Sequence, residues 1–94
     1  MLQNVTYAQN EVVSLRLIDG TEIICRFITK SATHYVLRSP VKITIDEEEN
    51  VKASAFMAGL TNSAFECLID HVTVMGKTQD TLKESYVSLL GEQQ

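Results

Sequence analysis

The chain has 94 residues, 45% of them hydrophobic and only one a proline, which is the length and composition of a single folded domain with one core. Its 8 basic and 12 acidic residues give a net charge of −4, which argues against a protein that holds nucleic acid by charge alone. No apolar run reaches the roughly 20 residues of a membrane-spanning helix and the start lacks signal-peptide character, so a cytoplasmic protein without membrane contact is expected.

The first predicted unit is a hairpin. Residues 11–17 alternate between apolar and polar side chains, as a half-buried strand requires. Asp19 and Gly20 follow, a pair typical of a tight turn because glycine accepts a positive φ and aspartate tolerates it. Residues 21–29 resume strand character, with apolar side chains on both faces. The pattern predicts two antiparallel strands, the second covered on both sides.

A third strand is predicted after a short polar break at residues 30–33. It spans residues 34–46 and contains Pro40, which has no N–H to donate to a neighbouring strand, so we expect a bend or bulge near Ser39 and Pro40. The acidic block and asparagine at residues 46–50 predict the next turn. This block is interpreted as a solvated loop in preference to an acidic recognition site.

The middle of the chain is the most ambiguous part. Residues 51–60 contain alanine and methionine that suit a helix, but they lie between strand-like segments and are predicted to form a strand. Residues 59–63 are rich in turn formers. Residues 64–69 then form an apolar run that predicts a buried strand, residues 70–71 interrupt it, and residues 72–76 predict a short final strand.

The end of the chain has the period of a helix. Its apolar residues recur at i, i+4, i+7 and i+8, and they are Leu82, Tyr86, Leu89 and Leu90. This spacing predicts a helix over roughly residues 80–90. Thr81 with Glu84 would make a capping box, Thr78 or Asp80 could equally cap the helix, and Gly91 is the expected stop.

The residues that carry chemistry in enzymes are sparse. Cys25 and Cys67 lie singly in apolar stretches and are interpreted as small buried hydrophobic residues in preference to a disulfide pair. His34 and His71 have no neighbouring nucleophile motif and no metal-ligand spacing, and no phosphate-binding or dinucleotide-binding glycine pattern occurs. We therefore expect no enzyme activity, no metal and no cofactor.

The stretch VVSLRLIDGTEIICRFITKSATHYVLRSPVKI, about a third of the chain, resembles the first motif of Sm-like proteins, and CLIDHVTVM resembles their shorter second motif. The resemblance implies a mainly β fold with a strongly bent, five-stranded antiparallel barrel over roughly residues 11–77. Family members usually carry a helix at the N terminus, whereas this chain is predicted to carry it at the C terminus. The chain looks closest to divergent Sm-like proteins of bacteriophages, including those of marine cyanophages.

The resemblance further implies a homo-oligomeric ring, in which strand 64–69 of one subunit pairs with strand 72–77 of the next. It implies binding of single-stranded RNA, or DNA, at the pore of that ring. By position, the nucleic-acid-binding residues are those of the loop between the second and third strands and of the final turn, namely Lys30, Ser31, Thr33, His34, Tyr35, Asp70 and His71.

These residues differ from those of many family members, which place Asp and Asn in the loop and Arg-Gly in the turn. Here His34 or Tyr35 could stack on a base, Ser31 and Thr33 could bond its edge, and Lys30 could contact phosphate. The alternative is that they are ordinary polar loop residues beside a core Tyr35. A ring that binds RNA, in phage or host RNA processing, is the main functional hypothesis.

The second hypothesis is a scaffold ring without nucleic-acid binding. In that case the acidic turn at residues 47–49 and the C-terminal helix would dock a protein partner, which the negative net charge favours.

Overall fold

A computed structural model describes residues 7–56 and 64–90. These residues form, in chain order, β1 (Val12–Leu17), β2 (Glu22–Lys30), β3 (His34–Ile45), β4 (Val51–Ala55), β5 (Ala64–Leu68), a 3₁₀ turn (Ile69–His71), β6 (Val72–Lys77) and α1 (Asp80–Leu90). The predictions of a mainly β protein and of a C-terminal helix are confirmed. The predicted stop at Gly91, the turn at 59–63 and the last part of the predicted strand 51–60 lie outside the described residues.

The turn between β1 and β2 is the hairpin that the Asp-Gly pair predicts. Gly20 has a φ of +91°, and the amide of Leu17 donates to the carbonyl of Thr21 at 2.8 Å. The amide of Thr21 donates to Oδ1 of Asp19 at 2.9 Å, and this hydrogen bond lowers the pKa of the Asp19 carboxyl. Strands β1 and β2 then pair antiparallel from Arg16 opposite Glu22 onward.

The strand order is β4-β3-β2-β1-β6, and β5 also pairs with β3. The first half of β3 pairs with β5 and its second half pairs with β4, on the edge away from β2. The described sheet therefore has six strands, and the expectation of five is wrong. The difference arises because the chain makes a separate short strand at Val51–Ala55 before it pairs with β3 again at Ala64–Leu68.

The long β3 bends where the sequence predicts a bend. Ser39 has a φ of +55°, and the register with β2 shifts between Ile24 and Arg26, which lie opposite Val41 and Arg38. Two residues, Ser39 and Pro40, thus face one residue of β2, which is a bulge. The bulge separates the part of β3 that pairs with β5 from the part that pairs with β4.

Buried core residues lie on both faces of the sheet, in its central strands β1, β2 and β3. On one face the core consists of Val13, Leu15, Ile23, Cys25, Phe27 and Leu37. On the other face Val12, Ile24 and Val41 pack against Tyr86 and Val87 of α1. Strand β2 contributes to both clusters, which confirms that it is covered on both sides.

The two cysteines are free thiols. Cys25 is fully buried, and burial raises the pKa of its thiol to about 12. Partial burial also raises the pKa of the Cys67 thiol. Because thiolate is the reactive form of cysteine, Cys25 is an inert hydrophobic side chain of the core.

Helix α1 is tied to the sheet by two hydrogen bonds, one from within the helix and one just before it. The Tyr86 hydroxyl donates to the carbonyl of Ser39 at 2.6 Å, and just before the helix the hydroxyls of Thr78 and Ser14 are 2.8 Å apart. The helix begins at Asp80, so the predicted capping box is wrong, since Thr81 lies inside the first turn instead of preceding it. Among the described residues, no helix combines the length and apolar character that crossing a bilayer requires.

Candidate nucleic-acid interface

The loop after β2 and the turn after β5 lie side by side. The amide of Ile69 donates to the carbonyl of Thr33 at 2.9 Å, and His34 is paired with Leu68 at the end of the β3–β5 ladder. The amide of Ile18 donates to the carbonyl of His71 at 2.9 Å, which adds the β1–β2 turn to the same end of the sheet. The structure thus brings together the two segments that contain the predicted site.

Ser31 shapes the loop. Its Oγ accepts hydrogen bonds from the amides of His34 at 3.1 Å and Thr33 at 3.3 Å, and its own amide donates to the carbonyl of His34 at 2.8 Å. These bonds close a compact turn between β2 and β3. The hydroxyl of Ser31 is therefore engaged within the loop itself.

His34 is held by its neighbour. Oγ1 of Thr33 lies 2.7 Å from Nδ1 of His34, so the two side chains share a hydrogen bond. Nε2 is the ring nitrogen that this bond does not use. The contact limits the rotation of the imidazole and leaves its other nitrogen for a ligand.

Lys30 and Tyr35 lie opposite each other where β2 and β3 meet the loop. The ring of Tyr35 packs edge-on against Phe27, with centroids 6.4 Å apart, and Phe27 also contacts Tyr7 at 5.6 Å. Tyr35 is therefore part of the aromatic border of the core, while Lys30 is exposed. Of the two side chains that could stack on a base, His34 is the one that lines the groove described next.

A groove of about 490 Å³ opens beside the loop and the turn. Its lining residues are Leu17, Ile23, His34, Phe56, Phe65, Glu66, Cys67, Leu68 and His71. Of the predicted site residues, His34 and His71 line this groove. Lys30, Thr33 and Asp70 are exposed.

Glu66 is the polar groove residue that the sequence reasoning missed. It is an exposed residue of β5 and lies opposite Val36 of β3. The available signal was a charged residue inside the apolar run FECLI. Phe56 and Phe65, whose rings are 6.3 Å apart, were missed as well, because their approach depends on how the chain returns to β3.

The groove combines an apolar and aromatic lining with two imidazoles and one carboxylate. That combination suits a flat heteroaromatic ring, which gains contact area on its faces and hydrogen bonds on its edges. In residues 7–56 and 64–90, no group of three or more His, Cys, Asp or Glu could hold a metal ion.

Comparison with protein-family models finds no match, and comparison with curated protein sequences finds none either.

Proposed function

We propose that this chain is a divergent Sm-like protein that forms a homo-oligomeric ring and binds single-stranded RNA in the groove beside the β2–β3 loop, in phage or host RNA processing. One observation carries the proposal. The loop and the 3₁₀ turn, which lie far apart in the sequence, are joined by the 2.9 Å hydrogen bond from Ile69 to Thr33. They place His34 and His71 on a single groove.

The strand topology supports the same proposal. The β1–β2 hairpin is followed by the long, bent β3, and a single 3₁₀ turn separates β5 from β6, an arrangement consistent with the strongly bent sheet that the resemblance implies. Within the described residues, β5 pairs with β3 and β6 pairs with β1. Each of these two strands keeps one edge without a strand partner in this part of the chain, which is where subunits of a ring would pair.

The chemistry of binding follows from the groove. A base would stack against the imidazole of His34, while the exposed Lys30 would meet the phosphate backbone at the mouth of the loop. Binding of this kind depends on local contacts, so it is compatible with a net charge of −4.

Titration of labelled RNA oligonucleotides at low and moderate salt tests the proposal. Wild-type protein should bind saturably. His34→Ala should weaken binding by about 1–3 kcal/mol through loss of stacking. Lys30→Ala should weaken binding to all sequences and reduce the salt dependence by about 0.7 in logarithmic slope, as expected when one phosphate contact is lost.

Lys83→Ala is the matched control, because Lys83 is an exposed lysine of α1 and its removal changes the net charge equally. This variant should bind RNA as the wild type does. Absence of saturable binding at low salt would reject the proposal. Equal losses for Lys30→Ala and Lys83→Ala would show that the loop is not the site.

The carboxylate of Glu66 indicates which base the groove should prefer. An ionised carboxylate only accepts hydrogen bonds, and guanine is the base whose Watson–Crick edge offers two adjacent N–H donors. Uracil offers a single N–H between two carbonyl oxygens, which a carboxylate repels. Oligonucleotides with one guanine in a uridine background should therefore bind more tightly than uridine alone. Glu66→Ala should remove this preference, while Glu84→Ala, a change of an exposed glutamate on α1, should preserve it. Tighter binding of uridine by the wild type would contradict the assignment.

A further inference from the structure

Strand β4 is an exposed edge. It is the outermost strand in the order β4-β3-β2-β1-β6, and among the described residues its strand partner is β3. All five residues of Val51–Ala55 are exposed to solvent. An edge strand of this kind offers a row of backbone N–H and C=O groups to an incoming extended segment.

An apolar trough lies between β4 and helix α1. It has a volume of about 220 Å³, and its lining residues are Ile24, Val41, Ile43, Val51, Ala53, Leu82, Ser85, Tyr86 and Leu89. Three large apolar side chains at this end of the molecule are strongly exposed, namely Ile45 at 65%, Val51 at 49% and Leu89 at 59%. A cluster of exposed apolar residues beside an open strand edge is typical of an interaction surface.

The β3–β4 turn adds negative charge to one end of the trough. Asp46 is used inside the turn, where Oδ1 accepts from the amides of Glu48 at 2.9 Å and Asn50 at 2.8 Å, and Oδ2 lies 3.7 Å from Nζ of Lys52. The side chains of residues 47–49, three consecutive glutamates, are exposed. Val51, which lines the trough, follows this turn after a single intervening residue.

We propose that β4 and the trough bind an extended segment of a partner protein, with alternating apolar side chains and basic residues at one end. The backbone of the segment would add a strand to β4, and every second side chain would enter the trough beside Val51 and Ala53. Its lysine or arginine residues would meet the glutamates at residues 47–49. The same charges oppose nucleic acid at this surface, so the inference does not rest on RNA binding.

Two labelled synthetic peptides test this surface against the full chain at low salt. Each alternates valine with threonine, and one carries lysines at its N-terminal end and the other at its C-terminal end. One of the two should bind saturably, and which one it is reports the direction of the added strand. The same peptides with glutamates in place of lysines should bind about tenfold or more weakly.

Two protein variants separate the charge from the trough. Replacing Glu47, Glu48 and Glu49 together by glutamine should weaken binding of the lysine peptide about tenfold. Its affinity should then be near that of the glutamate peptide. Ala53→Glu, at an exposed position of β4, should abolish binding of every peptide. Glu84→Gln removes one charge from an exposed position of α1 outside the trough lining and should leave binding unchanged.

The possible outcomes decide the proposal. Two results would overturn the proposal that the partner segment is basic. They are equal affinity of the wild type for the lysine and glutamate peptides, and unchanged affinity of the triple glutamine variant for the lysine peptide. Self-association that Ala53→Glu abolishes, without peptide binding by the wild type, would show that a second copy of this chain takes the edge and would overturn it too. Circular dichroism of each variant distinguishes lost binding from lost folding.

Discussion

Gly20 holds the β1–β2 turn in a conformation that other residues adopt only with strain. Its φ is +91°, and a Cβ added there would meet no atom within 4 Å. Gly20→Ala should therefore destabilise the fold through backbone strain alone, by about 1 kcal/mol. Urea unfolding of the two proteins measures the difference, and the slope against urea should not change because the folded state buries the same surface.

Gly76 in β6 is the matched control. A Cβ at Gly76 also meets no atom within 4 Å, and its φ is outside the left-handed region. Gly76→Ala should be neutral or slightly stabilising, because alanine reduces the freedom of the unfolded chain. If both alanine variants lost the same stability, the cost at Gly20 could not be assigned to its positive φ.

The candidate site shows which residues a sequence can reveal one at a time. His34 and His71 were named by their positions in the resemblance to Sm-like proteins, and both line the same groove in the structure. Glu66 was missed because strand residues reach a groove only through the register of their pairing, here Val36 opposite Glu66. That register depends on where a distant segment returns to β3, which local patterns do not encode.

At the scale of elements, the attachment of α1 depends on a buried hydroxyl. Tyr86 is 3% exposed, and its hydroxyl donates to the carbonyl of Ser39, the residue at the bulge of β3, over 2.6 Å. Tyr86→Phe keeps the ring but removes this donor, so the protein should lose about 1–2 kcal/mol of stability. Amide hydrogen exchange should increase in α1 more than in β1 and β2, because the helix loses its tie to the sheet.

Tyr7→Phe is the control for Tyr86→Phe, because it also removes a tyrosine hydroxyl that donates to a backbone carbonyl. The Tyr7 hydroxyl donates to the carbonyl of Met75 at 3.3 Å in a partly buried position, so its loss should cost less than the loss at Tyr86. An equal cost for both variants, or unchanged exchange in α1 after Tyr86→Phe, would contradict the role given to Tyr86.

Element types were predictable where the pattern is local. Alternation and the Asp-Gly pair predict the first hairpin, the helical spacing predicts α1, and Pro40 predicts the bend in β3. The five strands that the resemblance implies were wrong, whereas the residue pattern over 51–60 did predict the sixth strand, which the structure has at Val51–Ala55. What the pattern did not predict is that this strand pairs with the second half of β3. Pairing between segments that a turn of variable length connects is a tertiary property, which local patterns do not fix.

At the scale of the whole molecule, each strand at an edge of the sheet has a proposed contact. The described sheet ends in β6 on one side and in β4 and β5 on the other. The proposed ring would use β5 and β6, and the proposed peptide surface would use β4. Three strand edges would then serve two kinds of contact. The groove proposed to bind RNA, beside the turn that joins β5 to β6, would lie next to the proposed subunit boundary.

If the proposed ring forms, light scattering should give a solution mass that is a multiple of the monomer mass. Val74 of β6 is 60% exposed in the single chain, so Val74→Lys should leave the monomer folded but break the ring by burying a charge between subunits. Ile18→Lys is the matched control, because Ile18 is 61% exposed but lies in the β1–β2 turn. It should keep the oligomer. A wild-type monomer at high protein concentration, or equal dissociation by both lysine variants, would refute the β5–β6 interface.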